Sequence, residues 1–170
     1  MMNATRKILC AGLLGAGALL MTIPSHAATD DDKKFLATAS QGDINEIKIS
    51  ELAEQKATDP RVKAFAEKMV KEHNQLEVKM KPFAESWGLT PPGGLDADHQ
   101  KEWDKLNGLS GKDFDKEYMS AMVDDHTKAL DLFTTEAKDS KDTKFKAAVI
   151  GGKTVVAAHK NMAYDLKKKL

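Results

Sequence analysis

The chain predicts an all-α fold, an antiparallel four-helix bundle with a short extra helix in the connection between its second and third long helices. Three observations predict it. Four long segments repeat apolar or small residues at alternating steps of three and four, and almost nothing alternates with period two. Short polar or Pro/Gly-rich stretches separate them, at 58–60, 88–94 and 139–142. The alternating steps average about 3.5 residues, the period of a seam in a left-handed bundle.

Ahead of the helices, residues 1–27 read as a cleaved secretory signal. Arg6 and Lys7 form a positive start, Ile8 to Ile23 an apolar stretch, and Ser25-His26-Ala27 supplies small residues for cleavage after Ala27. The apolar stretch is rich in Gly and Ala, lies near the lower length limit for spanning a bilayer and has no stop-transfer flank, so cleavage is favoured over anchoring. Cys10 falls inside the signal, preceded by Lys7-Ile8-Leu9 rather than by the small residues of a lipoprotein signal. The mature chain, residues 28–170, then has no cysteine and suits one domain with a single core.

The first helix is predicted over about Asp32 to Ala57, with Phe35, Ala39, Gly42, Glu46, Ile49 and Ala53 on one stripe. The second opens at Thr58-Asp59-Pro60, where Asp59 caps free amides and Pro60 fits the first helical position. Its stripe is Val62, Ala66, Met69, His73, Leu76, Met80, Phe83 and Trp87, and Pro82 inside it is expected to kink or end the helix. After the breaker Gly88 to Gly94, Asp96 to Leu106 reads as the short helix, anchored by Trp103 and Leu106. Ser110-Gly111 opens the third long helix, which runs to about Lys138 with Met119, Met122, His126, Ala129 and Phe133 in line. The fourth follows the turn Asp139 to Asp142 and aligns Phe145, Ala148, Gly152, Val155, His159, Met162 and Leu166; Gly151-Gly152 weakens it by roughly 2 kcal/mol relative to two alanines.

Short turns make the first and last helix pairs antiparallel. The long middle connection leaves two topologies: up-down-up-down, the simpler, and a long crossover.

The peptide Met-Val-x-acid-His occurs twice, as Met69-Val70-Lys71-Glu72-His73 and Met122-Val123-Asp124-Asp125-His126. Both histidines stand where the stripe calls for an apolar residue. His159 does the same in the last helix, and Glu46 places an acid at the matching point of the first. In an antiparallel bundle the midpoints of helices of similar length meet, so Glu46, His73, His126 and His159 should form one buried polar layer. Burying such groups unpaired costs several kcal/mol each, so they must bind one another, water or a metal. Three imidazoles and a carboxylate make a first shell for zinc, iron, manganese or copper. Glu77, one turn beyond His73, is placed as a further ligand or an outer acceptor. Glu72 and Asp125 point aside and suit pairing between helices. In the up-down-up-down arrangement Met122 and Met162 fall on one side of the layer and Met69 on the other. Soft thioethers there would suit copper(I).

Removing the two cations of the signal leaves 24 Lys and Arg against 26 Asp and Glu, a slightly acidic chain. Nucleic acid is therefore not an expected partner, since it favours a basic face. No other stretch is long and apolar enough to cross a bilayer. With no mature cysteine and no serine in a glycine-flanked elbow, no nucleophile constellation appears.

These residues resemble the family of small exported bacterial proteins known as domain of unknown function 4142, often labelled outer membrane proteins. The resemblance rests on Phe35 with Glu46, on Val62-Lys63-x-Phe65-Ala66-x-x-Met69-Val70-x-Glu72-His73, on Phe114-Asp115-x-x-Tyr118 leading to His126, and on His159. It implies a ferritin-like bundle and export from the cytoplasm, and it implies no activity. Ferritin-like di-iron sites place Glu-x-x-His on two helices, but Val70, Val123 and Val156 occupy that position here, so the motif is absent. No barrel strands accompany the outer membrane label.

The expected function is binding of one transition-metal ion through Glu46, His73, His126 and His159, in metal handling or stress defence in the periplasm, by a monomer or small homo-oligomer. Two alternatives stay open. One is a non-catalytic envelope scaffold or interaction module whose polar layer fixes helix register. The other is an enzyme acting on an organic substrate from a pocket beside His126.

Overall fold

The computed structural model describes residues 27–170, so the predicted signal, Cys10 included, lies outside the described residues except for Ala27. Five helices follow in order: α1 Asp30–Lys56, α2 Pro60–Ser86, α3 Ala97–Asn107, α4 Gly111–Asp139 and α5 Thr143–Lys167. The described residues contain no strand. Side-chain caps start most of them. Thr29 and Asp32 form a reciprocal capping box on α1, and Asp59, Asp96 and Asp142 accept from the first free amides of α2, α3 and α5.

One buried carboxylate fixes the topology. Asp115, in the first turn of α4, accepts hydrogen bonds from Thr58 N, Thr58 Oγ1 and Asp59 N in the α1–α2 turn. The start of α4 therefore lies at the end where α1 stops. At the opposite end Trp87, just past α2, packs edge-on against Phe145 of α5 with ring centroids 4.6 Å apart. The four long helices thus run up, down, down, up. This corrects the simpler up-down-up-down reading: residues 87–110 travel the length of the bundle, the single long crossover of ferritin-like folds. α1 packs against α2 and α4, and α5 against the same two helices, so every neighbouring pair is antiparallel. The crossover helix α3 lies over α1 and α4, tied by Asn45 Nδ2 donating to Asp96 Oδ2 (2.8 Å) and Lys105 Nζ to Glu117 (2.5 Å).

Two local expectations change, at Pro82 and in the seam of α5. α2 continues through Pro82 to Ser86, because the proline is exposed and close to the helix end, where one lost backbone bond costs least. α5 is unbroken across Gly151-Gly152. A Cβ on Gly152 would come within 2.5 Å of Phe133 Cε1, so this glycine lets the Phe133 ring lie against the α5 backbone. The seam of α5 also sits one position over from the expected one, with Val149, Val156 and Ala163 buried between Phe145, Gly152 and His159.

The core divides in two. At the α1–α2 turn end lie Ile49, Phe65, Met69, Phe114, Met119 and Met122, closed from outside by Leu106 of α3. At the other end Phe35, Met80, Phe133, Phe145 and Val149 pack together, with Phe35 meeting Phe133 edge-on at 4.9 Å. Between the two halves lies the polar layer. Because α2 and α4 run parallel, Met69, Met122 and Met162 all fall on the same side of it, in or against the first half-core, rather than on opposite sides.

Candidate metal centre

His73 of α2, His126 of α4 and His159 of α5 meet at one level. Their ring centroids are 5.5, 5.3 and 5.2 Å apart pairwise, a nearly equilateral triangle, and all three side chains are buried. One ligand nitrogen from each lies within 4.8 Å of the others.

Each ring is held from outside by an acceptor. His73 Nδ1 donates to Asp43 Oδ1 at 2.7 Å, His126 Nδ1 to the Met122 carbonyl one turn earlier at 2.8 Å, and His159 Nε2 to Glu72 Oε2 at 2.6 Å. An acceptor at the outer nitrogen places the proton there, so the inner nitrogen of every ring carries a lone pair. The inner pair His73 Nε2 and His126 Nε2 stand 3.4 Å apart, and His159 Nδ1 is buried with no hydrogen-bond partner. Among the described residues no hydrogen-bond donor satisfies the lone pair of His159 Nδ1, and those of His73 and His126 face each other. A metal-ligating histidine characteristically gives its other N–H to a carboxylate or backbone carbonyl, and all three do so here.

The electrostatics keep His126 and His159 neutral. Burial, aided by the neighbouring imidazoles, lowers the His126 pKa to about 3. Burial likewise lowers His159 to about 4, against the upward pull of Glu72. Neutral imidazole is the ligating form, so at pH 7 neither of these two rings need lose a proton to bind a metal.

Glu46, expected in the ligand set, reaches the layer at a different point. Its Oε1 is 3.5 Å from Nδ1 of His126, the outer nitrogen, and its Oε2 is buried without a hydrogen-bond partner. Burial, then the charges of Asp125, Glu102 and Asp43, push its carboxyl well above the usual range. The structure thus brings the three histidines together and sets Glu46 beside them. Glu72 takes the interhelix role expected of it. Glu77 accepts from Ser40 Oγ at 2.6 Å and is not directed at the histidines by that bond.

Asp43 is a site residue outside the predicted stripe, which passes through Gly42. It lies one turn before Glu46 and is buried because α1 is covered by α2, α3 and α4 and so has a wide inner face. Its spacing to Glu46 was the available signal. A cavity of about 640 Å³ opens beside this layer, lined by Asp43, Glu46, His73 and His126 among others.

Fold and layer together define a ferritin-like helical bundle with a buried three-imidazole centre. The chain belongs to the family described as domain of unknown function (DUF4142), whose model matches residues 20–166. Comparison with curated proteins gives no significant match. Among solved structures, CopM in its Cu(I)-bound form superposes with a TM-score of 0.69 at 19% identity, covering 84% of this chain and 98% of CopM. A secreted DUF305 protein from Streptomyces coelicolor gives 0.70 at 18%, over 82% of this chain and 93% of its own. A DUF305 fragment from Deinococcus radiodurans gives 0.72 at 12%, over 85% and 100%. These likenesses establish the helical-bundle fold.

Proposed function

We propose that this protein binds one transition-metal ion between His73 Nε2, His126 Nε2 and His159 Nδ1, and that it serves metal handling rather than turnover. The observation that carries the reading is the set of three buried lone pairs facing one another, each fixed by an outer acceptor. A cation at their centre satisfies all three; no donor of the protein is seen to do so. Asp43, Glu72 and the Met122 carbonyl would hold the rings in place and raise their basicity. Glu46 adds a carboxyl at the edge of the layer.

Copper is the first ion to test. An all-imidazole shell suits copper, zinc and iron alike, but CopM, which shares the fold, is described in Cu(I)-, Cu(II)- and silver-bound forms. Export completes the proposal: residues 1–27 are removed as a signal and the mature chain works in the periplasm. No helix among the described residues is long and apolar enough to cross a membrane.

The test is anaerobic titration of untagged protein with Cu(I) against a chromogenic competing chelator. Wild type should withdraw about one equivalent, and the His73→Ala/His126→Ala variant none, with unchanged far-ultraviolet circular dichroism. Equal uptake by the variant would refute the assignment.

A further inference from the structure

A second group of ligand atoms lies outside the histidine layer, where the crossover helix covers the bundle. His99 and Glu102, one turn apart on α3, face Asp125 on α4, and one ligand atom from each lies within 4.8 Å of the other two. Asp125 immediately precedes His126, so the α4 backbone carries both groups side by side.

The hydrogen bonds around His99 fix its proton. Its Nδ1 lies 2.9 Å from both carboxylate oxygens of Asp96. A lone pair on that nitrogen would oppose theirs, so Nδ1 carries the hydrogen and donates to Asp96. Asn45 Nδ2, 3.0 Å from the same nitrogen, has Asp96 Oδ2 as its acceptor at 2.8 Å. The free lone pair is then on Nε2, which stands 3.8 Å from Asp125 Oδ2, beyond hydrogen-bond distance. Asp125 Oδ2 and Glu102 Oε1 are both buried atoms with no hydrogen-bond partner, while Lys128 takes the other oxygen, Asp125 Oδ1, at 2.8 Å. One nitrogen and two oxygens converge, all acceptors.

We propose that His99 Nε2, Glu102 and Asp125 form a second metal site, specific for a harder divalent cation such as zinc or manganese. One imidazole with two carboxylates brings two negative charges and oxygen donors, a set that favours divalent ions over copper(I) or silver(I). Asp96 plays for His99 the orienting part that Asp43 plays for His73. Asp96, His99 and Asp125 line the same cavity as His73 and His126, so both sites open onto one space. The crossover helix then has a chemical purpose besides closing the first half-core with Leu106.

The experiment is native mass spectrometry and calorimetry of the untagged chain with Zn(II). Wild type should bind two equivalents, His99→Ala/Glu102→Gln one, His73→Ala/His126→Ala one, and the four-fold variant none. Glu102→Gln alone, which keeps the Asp96 cap and the α3 packing, should weaken the outer site by about tenfold or more. A His99→Ala/Glu102→Gln protein that is folded and binds as many equivalents as wild type overturns the proposal. If the histidine layer takes no zinc, wild type binds one equivalent that vanishes with His99→Ala/Glu102→Gln and survives His73→Ala/His126→Ala. That pattern would sustain the outer site while failing the inner one.

Discussion

Asp115 and the histidine layer are both buried polar places in the same bundle, and they are settled differently. Asp115 is 1% exposed, yet both its oxygens are used: Oδ1 accepts from Thr58 N at 3.0 Å, and Oδ2 from Thr58 Oγ1 at 2.7 Å and Asp59 N at 2.9 Å. Nothing there is left to bind. The histidine layer is closed in the same manner only on its outer side, while its inner side turns three lone pairs on one point. A buried polar group whose partners are all internal is a strut that fixes which helix ends meet. One whose unsatisfied atoms converge is a site. The family resemblance contains both kinds, with Asp115 and Tyr118 on the structural side and the histidines on the other; Tyr118 too is closed, its hydroxyl 2.9 Å from Ser50 Oγ.

That distinction can be broken by exchanging stability for binding. The largest effect should come from His126→Leu, which removes a ligand but fills the same space with an apolar side chain. Stoichiometric Cu(I) uptake should disappear, while the metal-free protein melts at or above the wild-type temperature, since isosteric apolar replacement of buried polar groups is often neutral or better. Uptake that persists, read by chelator competition, would place the site elsewhere.

Asp115→Ala should do the reverse. It removes the shared acceptor of two backbone amides and a hydroxyl in the partly exposed α1–α2 turn, a loss of about 2 kcal/mol in urea unfolding. Whatever remains folded should bind metal at the wild-type stoichiometry. A variant of normal stability and impaired binding would invert the comparison.

Asp43→Asn is subtler, because an amide still accepts from His73 Nδ1 but without charge. Metal affinity should fall about 10–100-fold, the usual cost of weakening an outer partner, with helical content unchanged. Competition titration measures it.

The smallest expected effect is the pH dependence of the metal-free protein. His126 and His159 titrate at about 3 and 4 in the folded chain, below the value near 6.5 of an unfolded histidine. Between those values the unfolded chain binds more protons, so these two groups make stability fall as pH drops below about 6.5. Asp43 and Glu46, shifted upward by burial, pull the other way as pH falls. The histidine contribution is isolated by comparing wild type with His126→Leu over pH 7.5 to 4.5: the variant's melting temperature should depend less steeply on pH. A steeper profile in the variant would contradict the depressed His126 pKa.

Much of this architecture is legible in the sequence. Periodic stripes locate the helices, Asp59 with Pro60 marks the start of α2, and the paired Met-Val-x-acid-His peptides announce that α2 and α4 present histidines at one level. Periodicity says which face is inward but not which end of one helix lies beside which end of another. Helix direction here depends on a tertiary clasp between Asp115 and residues 58–59, which no local pattern encodes. Asp43 is hidden for a related reason: it lies off the centre of its stripe and meets His73 only because α1 and α2 pack together, whereas Glu72 is legible as an interhelix partner though not as the partner of His159. His99 is harder still to find, since its partner Asp125 is on another helix and α3 reaches α4 only through the crossover.

The most direct test is elemental analysis of untagged protein recovered from its native compartment, wild type beside His73→Ala/His126→Ala. An equivalent of a transition metal present in wild type and missing from the folded variant is the predicted result, and it would also name the ion. The same metal content in both folded proteins would contradict the account and make the three-histidine layer, like Asp115, a strut.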